Sequence, residues 1–444
     1  MSNKTIGNEA IYDAKQLGAG KVLILGIQHV FAMFGATVLV PALTGLDVAT
    51  TLLFAGLGTL FFHFMTKRKV PAFLGSSFAF LAGYFAIAPN GEPELLPYAC
   101  FGVACAGLLY LMLAGLIKAF GTKKVMRFFP PIVTGPMIIS IGLSLAGSAI
   151  TNCQSNWLVA LVAIAVVIIC NIWGKGMVKI VPIILGVLAS VAAALLITAI
   201  NPEAGIFDPQ KLAVFKEAKL LGFPIHMENT IFAIFKDCNT SLLISSVIAI
   251  MPLAIATMME HIGDISAIGS TVGKNYIEEP GLHRSLIGDG IATTLASIFG
   301  GPANTTYGEN TGVLALTKVY DPMVVRLAAV IAILFSFSPK FAALVSLMPV
   351  ATIGGVSLIL YGMISAVGVR NIVENQVDFT QSRNVIIAAL MLVCALGFSG
   401  GISFAVGSAT ISLSGLAIAA IVGIFLNAVL PEEDADENIE IDWG

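Results

Sequence analysis

Apolar runs of about 20 residues, the length an α-helix needs to cross the hydrocarbon of a bilayer, recur along almost the whole of this 444-residue chain. They fall near 21–43, 47–66, 70–88, 96–119, 129–150, 156–173 and 179–200, and again near 240–262, 284–300, 302–317, 323–338, 341–367, 383–399 and 403–430. A soluble core has no use for so much apolar surface. Hydrophobic residues make up 57% of the chain and charged residues 11%, against roughly 25% charged in a soluble domain. The 44 glycines point the same way, because small residues let membrane helices approach closely. The pattern predicts an all-α polytopic membrane protein with fourteen transmembrane segments, seven on each side of a polar loop at 201–236.

The lysines and arginines give an independent test, since cytoplasmic connections are enriched in them. Of the 23, 18 fall in the N-terminal segment or in even-numbered connections, and the five others are Lys211, Lys216, Lys219, Lys236 and Lys340. This split places both termini in the cytoplasm. The expected division is a cytoplasmic segment 1–20, a first repeat 21–200, an extracytoplasmic loop 201–236, a second repeat 237–430 and a cytoplasmic acidic tail 431–444. The N-terminal stretch MSNKTIGNEA lacks the apolar core and cleavage site of a signal peptide, so insertion is expected to use the first span.

An odd number of segments per half makes any repeat an inverted one. The fifth segment, FPPIVTGPMIISIGL, and the twelfth, LMPVATIGGVSLILYG, share a proline, a threonine three residues on and a glycine-rich continuation. The third, VPAFLGSSFAFLAGY, and the tenth, GGPANTTYGENTGVLALTK, are both short and broken. Polar, interrupted segments at matching positions are the best sequence pointer to a transporter's binding site.

A carboxylate at mid-bilayer costs roughly 2.5–3.5 kcal/mol on insertion scales, so each one requires a reason. Glu260 and Asp264 lie in MMEHIGDISA, Asp289 in SLIGDGIATT and Glu309 in TTYGENTG. Glu260 and Asp264, four apart, share one helical face, and two acids so close in a low dielectric favour holding a proton. The plainer alternative ends the eighth segment early and leaves both in cytoplasmic water. Asp289 reads either as a partner to the site or as a helix-packing group. His29 and His261 are candidate relays, although a packed histidine is the commoner case; His63, His226 and His283 lie near span ends or in loops. The six cysteines show no metal-ligand spacing and read as small buried hydrophobes. A net charge of −3 suggests no nucleic-acid partner.

At these residues the sequence resembles the nucleobase-ascorbate transporter family, also called nucleobase:cation symporter family 2, and within it the branch of bacterial uracil:proton symporters. Glu309, Asn310, Gly312, Thr317 and Lys318 meet the family signature; QHVFAMFGATVLVP at 28–41, VPAFLGSSFAF at 70–80, PGLHRS and NTTYGEN look like the uracil branch. Asp264 departs from that branch, which carries histidine there, and an aspartate resembles the purine side. The resemblance implies two inverted repeats of seven segments, short strands in segments 3 and 10, a core domain from segments 1–4 and 8–11, and a gate domain from segments 5–7 and 12–14, dimeric through the gate. It implies a permease in the cell membrane, not an enzyme, importing uracil with a proton and needing no cofactor or metal. Glu260 and Glu309 would hydrogen-bond the base directly, the backbone N–H groups of Phe78 and Gly308 would meet its carbonyls, and Ser77, Tyr307 and Tyr361 would line the pocket. Glu260, Asp264 and Glu309 would share the coupling proton. Gln28, His29, His261, Asp289 and Asn310 would stand behind them.

Neutral uracil suits such a site, because carboxylates accept from its N–H groups, backbone amides donate to its carbonyls, and Phe78 or Tyr307 can cover a ring face. A xanthine or urate permease remains an alternative within the class. An anion carrier fits less well, since carboxylates would repel its substrate. An intramembrane aspartyl protease needs two aspartates from two helices, and a channel needs a continuous pore.

Overall fold

The computed structural model describes residues 6, 9–127, 130–398, 401–406 and 409–431, with the side chains of residues 126, 180, 202, 236, 309, 403–406 and 409–412 outside the description. The acidic tail expected at 431–444 therefore lies outside the described residues except for residue 431.

The first half contains helices α1 (Ala19–Thr44) and α2 (Val48–Met65), strand β1 (Leu74–Ser76), a 3-10 turn at Phe78–Phe80, and α3 (Leu81–Ile87). After these come α4 (Leu96–Phe120), α5 (Thr122–Met126), α6 (Pro131–Gln154), α7 (Trp157–Trp173), α8 (Met177–Ile180) and α9 (Pro182–Ile200). The connecting loop carries α10 (Pro209–Glu217). The second half contains α11 (Thr240–Ile250), α12 (Leu253–Val272), α13 (Leu282–Ile298), strand β2 (Asn304–Thr306), α14 (Gly308–Thr317), α15 (Pro322–Ser336), α16 (Pro339–Ser346) and α17 (Val350–Glu374). It closes with α18 (Ser382–Gly397), strands β3 (Ile402–Val406) and β4 (Ala409–Leu413), and α19 (Gly415–Val429).

Local chemistry sets these boundaries. Asp47, Asn156, Asn239 and Asp321 each accept a backbone N–H in the first turn of α2, α7, α11 and α15, satisfying a donor the helix cannot satisfy itself. Pro131, Pro182 and Pro322 open their helices, where a missing N–H costs nothing. Among the described residues seven helices, counting α11 and α12 as one run of 33 residues, are long and apolar enough to cross a membrane. Leu188, Leu195 and Leu196 on α9 are exposed, which suits contact with lipid. The chain is a multi-pass membrane protein.

Three expectations need correction. The eighth segment continues as helix beyond residue 262 to Val272, because Glu260 and Asp264, which lowered its hydropathy, are half-buried against other elements and do not interrupt it. The twelfth does not begin at 341: α16 turns by 89° from α15, and the spanning helix starts after Pro349 as α17. The fourteenth begins with a hairpin, in which Ile402 pairs with Leu413 and Val406 with Ala409, and only then becomes α19. Alternating Ile402, Phe404 and Val406 favour a strand there. Of the cysteines, Cys100, Cys153 and Cys170 are buried, but Cys238 is exposed in the loop before α11.

The fifth and twelfth segments, matched by their glycines in sequence, are α6 and α17, and they pack along each other. A Cβ on Gly142 would lie 2.2 Å from the Tyr361 carbonyl oxygen, and one on Gly368 would lie 2.6 Å from the Ile139 nitrogen. Only glycine permits this approach of backbones.

Candidate functional site

The broken third and tenth segments meet. β1 and β2 pair antiparallel, with Leu74 opposite Thr306, Gly75 opposite Thr305 and Ser76 opposite Asn304. The pairing extends one bond each way, as Ser77 N–H donates to the Ala303 carbonyl and Tyr307 N–H to the Phe73 carbonyl, both at 2.9 Å. Immediately after each strand a helical turn begins, at Phe78 on one side and Gly308 on the other, and neither has a side-chain cap. Their leading N–H groups are left for another acceptor.

Side chains from surrounding helices brace this crossing. Leu74 N–H donates to Thr59 Oγ1 at 2.8 Å, Ser76 Oγ donates to the Thr37 carbonyl at 2.9 Å, and Thr293 Oγ1 donates to the Asn304 carbonyl at 2.5 Å. Asn304 Nδ2 donates to the Phe54 carbonyl at 2.6 Å. His63, expected near a span end without a role, is fully buried, and its Nε2 lies 2.8 Å from the Ala72 carbonyl. It steadies the extended chain leading into β1.

Tyr307 belongs to the same bracing. Its hydroxyl donates to the Ser76 carbonyl at 2.7 Å and lies 3.3 Å from Thr37 Oγ1, while a Cβ on Gly75 would come within 2.5 Å of its ring. The ring thus packs behind the strands, where it supports the crossing instead of presenting an open face. Phe78 is half-buried and meets Tyr361 of α17 edge-on, ring centroids 6.5 Å apart. The Ser77 hydroxyl is buried without a hydrogen-bond partner among the described residues.

The acidic helix lies against β2 and α14. Asp264, half-buried on α12, accepts from Thr306 Oγ1 at 2.9 Å, and its Oδ1 would lie 3.6 Å from a Cβ placed on Gly308. Glu260, one turn earlier, is also half-buried. The helix runs on past both acids to Val272, and both are half-buried. Behind them His261 and Asp289 are fully buried, with His261 Nδ1 2.7 Å from Asp289 Oδ2. His261 Nε2 lies 3.0 Å from Ser285 Oγ, and Thr306 Oγ1 approaches Nδ1 at 3.4 Å. One buried cluster therefore joins α12, α13 and β2.

Asn310, in the first turn of α14, donates to the His29 carbonyl at 3.1 Å, its Nδ2 also lying 3.0 Å from His29 Nδ1. Gln28, adjacent on α1, has a buried Oε1 with no hydrogen-bond partner among the described residues. Glu309 is the second residue of α14, and its side chain lies outside the described residues. A cavity of about 490 Å³ runs beside α14, from Gly308 past Gly312 to Leu316, and is closed opposite by Ile183, Ile184 and Met363. Gly308 is exposed to it.

The structure thus brings Asp264, Thr306, His261, Asp289 and Gly308 into one neighbourhood, and Phe78 and Tyr361 into contact. Thr59, Ser285 and Thr293 were not singled out from the sequence. Isolated hydroxyls on apolar helices carry no periodic signal, and only the pairing of β1 with β2 gives them a purpose.

Residues 20–404 match the Permease family (Xan_ur_permease). The chain is 41% identical over 430 residues to a uracil permease of Bacillus caldolyticus, covering 95% of this chain and 94% of that one. It is 40% identical over 426 residues to a uracil permease of Bacillus subtilis (strain 168), covering 92% and 93%. Among solved structures, the transmembrane domain of the cyanobacterial bicarbonate transporter BicA superposes with a TM-score of 0.58 at 13% identity, covering 94% of this chain and 99% of that one. That likeness concerns the fold alone.

Proposed function

The chain belongs to the Permease family, and on that premise we propose that it imports uracil together with a proton by alternating access. Like its relatives it is a permease and not an enzyme. The observation that carries the proposal is the crossing of β1 and β2, which brings two uncapped helical starts together near the acids of α12, with the start at Gly308 lining a cavity.

Uracil is a flat neutral ring with two carbonyls and two N–H groups. The N–H groups at Phe78 and Gly308 donate to the carbonyls, while Glu260 and Glu309 accept from the ring. Phe78, held edge-on by Tyr361, covers one face. Glu260, Asp264 and Glu309 share the coupling proton, and no cofactor or metal takes part. The Asp264–Thr306 hydrogen bond gives that proton a route toward β2, with His261 and Asp289 behind it.

In the proposed layout fourteen segments form two inverted repeats of seven, 21–200 and 237–430, around the extracytoplasmic loop 201–236. Segments 1–4 and 8–11 form a core that moves against a gate of segments 5–7 and 12–14. The pairing of the two broken segments and of α6 with α17 supports this symmetry. Both termini are cytoplasmic, and two copies associate through their gates.

Uptake of labelled uracil into proteoliposomes tests the reading. It should follow an inward proton gradient, fall to background in Glu260→Gln, and be competed by unlabelled uracil but not by xanthine. Undiminished uptake in Glu260→Gln, or competition by xanthine in preference to uracil, would refute the assignment.

A further inference from the structure

The residues described before α1 are mostly exposed, yet two of them, Ile11 and Ala14, are fully buried. Ile11 is fully buried and forms a parallel bridge with Val319. Its N–H donates to the Lys318 carbonyl, and its own carbonyl accepts from Tyr320 N–H, both at 2.8 Å. Ala14 N–H donates to Asp321 Oδ2 at 2.8 Å, and the other oxygen of the same carboxylate accepts from Met323 N–H at the start of α15. The Tyr12 hydroxyl donates to the Val272 carbonyl at 2.8 Å, satisfying an acceptor in the last turn of α12 that the helix leaves open. Lys274 Nζ lies 4.8 Å from the Tyr12 ring centroid, and the rings of Tyr12 and Tyr320 are 5.5 Å apart.

These contacts reach the C-terminal end of α12, whose middle carries Glu260 and Asp264, and the residues just after α14, whose first turn carries Gly308. α14 has ten residues, too few to be stable without tertiary support, and its first turn carries Gly308 and Asn310. At about 1.5 Å per residue, Asp264 stands roughly 12 Å up α12 from Val272, and Gly308 roughly 15 Å up α14 from Lys318. A tilt at either end displaces the groups at the site.

We propose that Ile11–Leu17 form a positioning strap that fixes the ends of α12 and α14 to one another, and so keeps Glu260 and Asp264 in register with the first N–H groups of α14. The strap acts through those groups and does not touch substrate. Its effect on transport rests on the uracil reading above, whereas its effect on the helices does not.

The test combines hydrogen–deuterium exchange with uptake kinetics in proteoliposomes. Ile11→Asp should speed exchange at 262–272 and 308–317 while leaving α6 and α17 unchanged, and should raise the KM for uracil about tenfold with saturating uptake within about twofold. Tyr12→Phe, which keeps the Ile11 bridge, should raise KM about threefold without changing the melting temperature. Ile11→Cys joined to Val319→Cys as a disulfide should hold KM near the wild-type value, and reduction should raise it. Unchanged exchange in both single variants, or a fall in saturating uptake with KM unaltered, would overturn the strap. If the wild type takes up no uracil, the functional reading fails, and exchange alone decides whether the strap exists.

Discussion

The crossing of β1 with β2 and the packing of α6 against α17 each set an element of the first half against one of the second, yet they are built from opposite materials. The crossing is polar and braced: Thr59, Thr293 and Tyr307 each make a directional hydrogen bond to strand backbone, and the Asn304 side chain ties β2 to the Phe54 carbonyl of α2. The α6–α17 contact is smooth, with backbones brought together by Gly135, Gly142 and Gly368. Broken backbone inside a bilayer must find partners within the protein, and the crossing finds them in side chains. An unbroken helix already satisfies its own backbone, so α17 lies on α6 through close backbone packing, with Ser365 Oγ donating to the Ile139 carbonyl and Thr134 Oγ1 to Asn371 Oδ1. One region is held by directional hydrogen bonds and the other chiefly by close backbone packing.

The sharpest way to break this comparison is at the buried cluster behind the site. His261→Ala leaves Asp289 buried without its partner, and removing one member of such a pair costs about 3–5 kcal/mol. Chemical denaturation in detergent should show that loss, and replacing both residues by leucine should recover most of it. Full recovery of stability without recovery of uptake would mark the pair as functional and not merely structural.

A smaller loss is expected in the smooth region. Gly142→Val would drive a side chain into the Tyr361 carbonyl, and overpacking of this kind costs about 1–3 kcal/mol. The melting temperature should fall, whereas affinity for uracil in the surviving folded protein should stay the same. A change in affinity comparable to that of a site variant would mean that the α6–α17 contact shapes the pocket directly.

The mildest change tests the bracing itself. Thr306→Val removes the hydrogen bond to Asp264 while keeping the β-branched shape, and a single such bond contributes about 1 kcal/mol. The KM for uracil should rise about fivefold, with melting temperature nearly unaltered. An unaltered KM would show that Asp264 needs no help from β2.

Spans, their broken members and the acids were legible because each rests on local composition: twenty apolar residues, a cluster such as PANTTYGEN, or a carboxylate where lipid forbids one. What escaped depends on distance along the chain. Thr306 and Asp264 are separated by 42 positions, and Ile11 meets a bridge partner beyond residue 300; no periodicity announces either. The early end given to the eighth segment shows the opposite failure, in which local polarity misled. Glu260 and Asp264 lower hydropathy, but the site they face shelters them, so the helix runs on to Val272. At α16 two prolines bracket the element, Pro339 and Pro349, and only the fold shows that the second one opens the spanning helix. Tyr307 was legible as a site-proximal residue but not in its orientation, which is decided by Gly75 across the strand pair.

The central claim is that uracil docks where β1 crosses β2, with its ring between the amides at Phe78 and Gly308 and the acid of Glu260. A structure determined with uracil bound tests this most directly. The account predicts density for the base within hydrogen-bond distance of the Glu260 carboxylate and of the Gly308 N–H, at the inner end of the cavity beside α14. Density elsewhere, for instance between α9 and Lys179 with Glu260 unengaged, would contradict it.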